Sequence, residues 1–421
     1  MIPTVPVMCR GLFSSRPGLL LGLLLGLAGC ATAPQAQPHA KVYAFWPPYP
    51  DEPHIQFLTS YQRNTDVEPA KSPMEDLIYG REPQPVLAIQ KPYGVAMWHG
   101  RVYVCDIGGS AVTILDLRQH RTEIMGTSGA EGLQTPSDIA IAADGTKYVA
   151  DVSRGMVYVF DARDHQTGTL GHANLKPTGV AVYQNELYVC DFNSQKVEVW
   201  DRGTGRVLRT LGGPGTGPGQ FLKPLGVAVD AQGNVYVMDV LACRLQKFDR
   251  QGNMVTGFGT MSAGIGGLVR PKHIAVDGRG VIYVVDAAFQ NVQLFDQIGQ
   301  VYTYFGSAGS HPGAMYLPAG ICVTDSDLDL FQQYVHPAFQ LERLILVTNQ
   351  FGDNKVSVYG MGRLRPGKTV ADIADTKGVV PLGVAQGGKS MALPATPPPT
   401  EARSPAGGAA AAGPVGAGSG Q

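Results

Sequence analysis

The chain has 421 residues and carries 33 Lys+Arg against 34 Asp+Glu, so it lacks the global basic field that draws a protein onto nucleic acid. With 54 glycines and 31 prolines, about a fifth of the chain, and only 16% charged residues, the composition favours strands and turns over charged helical bundles. Six scattered cysteines (Cys9, Cys30, Cys105, Cys190, Cys243, Cys322) form no C-x-x-C, C-x-x-C-H or Cys/His cluster, which disfavours a disulfide scaffold, a zinc ribbon and covalent haem.

At the start, Arg10 and Arg16 precede an apolar run from Leu19 to Leu27. That run is shorter than the roughly 20 apolar residues a membrane-spanning helix needs. It ends in Leu27-Ala28-Gly29-Cys30, which resembles the lipobox of bacterial lipoproteins at all four positions. The resemblance implies a signal peptide over 1–29 and a mature chain that starts at a diacylated Cys30, held to the membrane by acyl chains. Ala31, where Asp would signal inner-membrane retention, implies sorting to the outer membrane of a bacterial envelope. Residues 30–53, rich in Pro, Ala and Gln and then in Phe45-Trp46-Pro47-Pro48-Tyr49-Pro50, read as a flexible, extended, lipidated linker.

From there the sequence repeats itself. Prolines 92, 136, 177, 224, 271 and 318 are spaced 44, 41, 47, 47 and 47 residues apart, a period that marks solenoids and propellers. The clearest unit runs Pro224-Leu225-Gly226-Val227-Ala228-Val229-Asp230, then Val235-Tyr236-Val237-Met238-Asp239, then Leu245-Gln246-Lys247-Phe248-Asp249. Each unit alternates β-branched and aromatic runs with Gly, Asp and Asn, which is strand and turn chemistry. About 45 residues and four strands make one blade, so the expected fold is an all-β six-bladed β-propeller over 54–362. The sixth unit lacks a fourth strand after Tyr359. The run His54–Tyr61 is available to complete it, with Val86–Ile89 as the alternative clasp. A C-terminal extension over 363–390 leads into an Ala/Gly/Pro-rich tail, 391–421, whose composition predicts disorder.

These units resemble NHL repeats, and the chain resembles the NHL-repeat six-bladed propeller lipoproteins of bacterial envelopes. Trp200-Asp201 is a lone Trp-Asp pair without the Gly-His partner of WD40 blades. The resemblance implies a binding or scaffolding module for envelope proteins, multi-haem cytochrome assemblies among them, and no cofactor beyond the lipid on Cys30. The alternative it carries is a lyase or hydrolase acting on a small molecule in the axial channel.

The Asp that follows each second strand (Asp106, Asp151, Asp191, Asp239, Asp286) recurs too regularly for a catalytic group and reads as a turn cap. Departures from the repeat are more informative. Two residues after each landmark proline stand Gly94, Asp138, Gly179, Gly226, His273 and Gly320. Blades two and five are opposite in a ring of six, so Asp138 and His273 are expected to face each other near the starts of the inner strands and to frame a small polar ligand or ion. Tyr93, Arg270 and Lys272 adjoin them in sequence. The nine histidines share no repeat position, so the three-histidine zinc site of NHL-type lyases is not assembled by register. Cys105 and Cys190 occupy equivalent positions in non-adjacent blades and read as buried free thiols, whereas Cys243 falls in a loop where exposure is expected. The insertion from Asp325 to Leu341, with Phe331, Tyr334, His336 and Phe339, reads either as a binding loop or as a loop packed over the blade edge.

Overall fold

A computed structural model describes residues 41–69, 85–127 and 129–380, all within the compact unit Lys41–Gln421. The expected signal segment, Cys30 and the 391–421 tail lie outside the described residues. Among the described residues no helix is long and apolar enough to cross a membrane.

Six antiparallel sheets make up the fold. Blade one comprises Pro92–Trp98, Arg101–Asp106, Ala111–Asp116 and Arg121–Met125. Blade two comprises Pro136–Ile141, Lys147–Asp151, Met156–Phe160 and Gln166–Leu170. Blade three comprises Pro177–Tyr183, Glu186–Asp191, Lys196–Asp201 and Val207–Leu211. Pro224–Val229, Val235–Asp239, Arg244–Phe248 and Met254–Phe258 form blade four. Pro271–Val276, Ile282–Asp286, Asn291–Phe295 and Val301–Phe305 form blade five. Each inner strand touches the inner strand of the next blade, and Pro318–Thr324 of blade six touches Pro92–Trp98 of blade one, so the ring is closed. The fold is an all-β six-bladed propeller.

Blade six is built from both ends of the chain. Its strands lie in the order Ala44–Trp46, Ile55–Tyr61, Val356–Leu364, Phe339–Asn349 and Pro318–Thr324. The run from 54 to 61 thus supplies the missing strand through the pairs Ile55↔Met361 and Tyr61↔Val356. The alternative segment is not part of a blade; Ala88 makes an isolated bridge to Arg63. Ala44–Trp46, assigned to the linker from its prolines, adds a fifth, edge strand. An extended chain with buried aromatic residues satisfies both descriptions: Trp46 packs edge-on against Phe305 and Tyr359, and Phe45 against His336 and Phe339. A short helix, Val370–Ala374, follows the last strand and buries Ile373.

One apolar cluster fills each of the six blade interfaces, for example Tyr188, Phe221, Val235 and Phe248 between blades three and four. The register that repeats these clusters also fixes the axis. Every landmark proline pairs with the residue ending the second strand: Pro92 with Asp106, Pro136 with Asp151, Pro177 with Asp191, Pro224 with Asp239, Pro271 with Asp286 and Pro318 with Asn349. Proline suits a strand's first position, where its missing N–H removes no ladder bond. The aspartates are caps that do more than close a turn. Asp239 accepts N–H bonds from Leu222 and Lys223 in the incoming inter-blade loop (2.8 and 2.9 Å) and from Ala242 in its own turn (3.4 Å). Asp106 does the same for Gln90, Lys91 and Gly108, so each carboxylate staples two loops on one end of the disc. In blade six Asn349 takes the role, accepting from Tyr316 N–H at 3.1 Å.

Candidate functional site

Just beyond the prolines the ladder slips in every blade, and this is where the six inner strands crowd the axis. Glycine is a requirement of that crowding. A Cβ on Gly94 would stand 2.6 Å from the Asp138 Cα, and one on Gly320 would stand 2.1 Å from the Tyr93 carbonyl oxygen. The glycines form a collar, and only blades two and five place side chains in it.

Those two side chains meet. His273 Nε2 lies 3.0 Å from Asp138 Oδ2, with the histidine 7% and the aspartate 1% exposed. The same Asp138 oxygen accepts the Val180 N–H at 2.8 Å, which locks the carboxylate to blade three. Burial by itself would lower the pKa of His273, but the Asp138 charge and hydrogen bond outweigh it and hold the imidazole above its ordinary 6.5. Nδ1 of His273 is buried and makes no hydrogen bond of good geometry, although the Ile274 backbone adds to the upward pull on the ring. The expected juxtaposition across the ring is therefore present, yet at 3.0 Å no ligand atom fits between the two groups.

Toward the end of the disc that holds the strand starts, Tyr93, Arg270 and Lys272 gather over the pair. The Lys272 ammonium lies 5.8 Å from the centre of the Tyr93 ring, although they belong to blades five and one. Burial, then the Asp138 charge, push the Tyr93 phenol up, and Arg270 opposes them, so all three residues share one local field. Lys272 is held below its ordinary value, first by burial and then by Arg270 and Lys91.

The other candidate groups are structural. Cys105 and Cys190 are fully buried free thiols. Cys243 is also buried, against the loop expectation: its backbone adopts φ +48° and turns the thiol inward toward the carbonyls of Val240 and Val269, both 3.6 Å away. The blade-six insertion packs down. Phe331 and Phe339 are in the core, and His336 is fixed by Thr376 Oγ1 at 2.8 Å and by the Ala338 N–H at 3.1 Å. Among the described residues His172, Asp191 and Glu198 form the one group with metal-ligand spacing. Its acceptors are already engaged: Glu198 by Lys196, Trp200 and His172, and Asp191 by Lys176 N–H, Asn193 N–H and the Ser194 hydroxyl.

No family model matches the chain. Several solved structures are similar in outline. Virginiamycin B lyase from Staphylococcus aureus is 12% identical, with 65% of this chain and 95% of that one aligned at a TM-score of 0.46. Hydrazine synthase from Kuenenia stuttgartiensis is 14% identical over 64% of this chain and 95% of that one, TM-score 0.44. The calcium-binding protein regucalcin from Agrobacterium tumefaciens is 14% identical over 66% and 92%, TM-score 0.43. At these values no activity transfers, and the fold stands on the sheet topology above.

A feature that repeat reading passed over lies on the same end of the disc. The loop from blade four to blade five exposes Met261 (70%), Ile265 and Val269, and the adjoining blade-four turn exposes Leu241 (61%). Its apolar residues stand in a glycine-rich loop that a repeat reading takes for a plain connection.

Proposed function

We propose that this chain is a lipid-anchored propeller of a bacterial envelope that binds and scaffolds other envelope proteins. Acylation at Cys30 provides the anchor, with the outer membrane as its destination, and multi-haem cytochrome assemblies are one partner class. The observation that carries the binding role is the exposed apolar loop of Leu241, Met261, Ile265 and Val269 on a rigid closed disc. Several large apolar side chains exposed in neighbouring loops of a soluble domain mark an interaction surface. An axis plugged by the Asp138–His273 bond favours use of the faces over passage through the ring.

The test is capture of the tagged chain from crosslinked envelopes, beside Cys30→Ser and a Leu241→Ser/Met261→Ser variant. The reading requires the same partner to be lost or strongly reduced in both. A partner profile unchanged by the loop variant would refute it.

The channel-enzyme reading keeps one observation in its favour, the buried Nδ1 of His273, which makes no hydrogen bond of good geometry. Asp138 and His273 offer two donors bonded to each other, fewer than the three protein ligands of a catalytic zinc. Stoichiometric metal in the purified protein, lost in His273→Gln, would favour that reading.

A further inference from the structure

Several buried or half-buried cations of this propeller are paired. Arg343 meets Asp277 at 2.6 Å, Arg209 meets Glu186 at 2.7 Å, and the fully buried Lys147 meets Asp164. At the mouth of the axis cations gather that are not paired. Lys91, Lys176, Lys223 and Arg270 stand at one register position, immediately before the landmark proline in blades one, three, four and five. Register places all four on one end of the disc, and Lys272 adds a fifth cation next to Arg270. Among the described residues none of the five makes an ion pair. Lys223 instead bonds the Phe192 carbonyl oxygen at 3.1 Å and lies over the Phe192 ring, and Lys272 lies over Tyr93.

No nearby carboxylate forms an ion pair with this group. The capping aspartates of these blades are occupied by backbone N–H groups, including those of Lys91, Lys176, Lys223 and Arg270 themselves. Asp138 is committed to His273 and the Val180 N–H. Lys272 reflects the result, because the charges that act on it beside burial are those of Arg270 and Lys91, both positive. Lys272 is partly buried over Tyr93, next to the exposed Arg270 and Lys91 and without an ion pair; like charges gathered so are destabilising without a counter-ion, and their retention points to a bound anion.

We propose that the mouth of the axis binds a compact multivalent oxyanion, a small molecule bearing phosphate or carboxylate groups, held by Lys91, Arg270 and Lys272 around Tyr93. Arg270 supplies the planar fork that matches an oxyanion, and the two lysines supply point charges. Lys176 and Lys223 raise the local anion concentration from farther out. Arg270 directly follows Val269 of the apolar loop, but the variants that test the two readings change different residues, so loss of one activity leaves the other measurable.

Isothermal titration of the full chain, purified in detergent at low salt, with pyrophosphate and separately with citrate tests this. One-to-one saturable binding is expected, and the tighter of the two probes assigns the phosphate or the carboxylate class. Arg270→Gln and Lys272→Gln should each weaken the better probe about tenfold or more, the loss typical of one charge-assisted contact. Lys272→Arg, which keeps the charge, should stay within a few-fold of the parent. Arg163→Gln, an exposed cation in a turn at the opposite end of the disc, should leave binding unchanged. No saturable binding of either probe by the folded parent would overturn the proposal. Equal weakening by Arg163→Gln and Lys272→Gln would overturn it too, since that marks diffuse charge instead of a site.

Discussion

Replacing His273 with Gln tests whether the axial pair is an ion pair that the fold depends on. The substitution keeps a neutral side chain of similar reach, removes the positive charge, and leaves Asp138 with the Val180 N–H bond. Removing one partner of a buried ion pair costs about 3–5 kcal/mol. A folded body of roughly 320 residues has an unfolding entropy of about 0.7 kcal/mol/K near 60 °C, so the Tm should fall by about 4–7 °C. The sign of the pH dependence follows from the direction of the shift. The folded state holds the His273 pKa above 6.5, so the pair's contribution is fully present below pH 6.5 and is lost as pH rises through the raised folded value. The Tm difference between parent and His273→Gln, followed by circular dichroism from pH 6 to pH 10, should therefore be widest at the acid end and narrow with rising pH. A constant difference, or one that widens toward pH 10, would show that the proton on His273 contributes nothing.

Asp239→Ala should orphan the N–H groups of Leu222 and Lys223 and cost about 3 kcal/mol or more in urea unfolding, while Asp239→Asn, which keeps one acceptor, should cost less. Trp46→Ala should cost about 3–5 kcal/mol, because the ring is buried between Phe305 and Tyr359, and limited proteolysis should then cut first near the 44–46 strand. In a variant whose Cys9, Cys30 and Cys322 are serine, Cys105, Cys190 and Cys243 should fail to react with a disulfide reagent at pH 8 until denaturant is added, since burial pushes all three thiols up.

The blades were legible because their chemistry repeats: six prolines at nearly constant spacing and an Asp ending the second strand in five of the six units leave little freedom of register. The same regularity exposed Asp138 and His273 as exceptions, and counting blades placed them opposite each other. Their direct contact was not legible, since it depends on how far the glycine collar lets the inner strands approach, a distance that no spacing encodes. Three residues at 44–46 are too few to show a period, and the prolines at 47, 48 and 50 imitate a linker, so the edge strand emerged only from the burial of Phe45 and Trp46. Cys243 was misplaced for a related reason: loop membership is visible in a sequence, but the φ of +48° that turns its thiol inward is not.

The axis and its mouth also answer opposite electrostatic problems with neighbouring residues. At the collar, a carboxylate and an imidazole taken out of water compensate each other, and the raised pKa of His273 is the trace of that compensation. One residue away, Lys272 shows the reverse, a cation lowered by burial and by other cations. A propeller that needed only closure would put glycine at 138 and 273, as at the other four collar positions, and any small polar residue at 272. Keeping the plug and the unpaired cations side by side sets a closed floor beneath a positive mouth, where low-dielectric walls focus the field outward. Such a field strengthens with falling salt, so anion affinity at the mouth should drop steeply between low and physiological ionic strength, whereas the buried Asp138–His273 pair, out of reach of screening ions, should keep its contribution to Tm. Equal salt dependence of the two would mean that the collar is wetter than its burial implies.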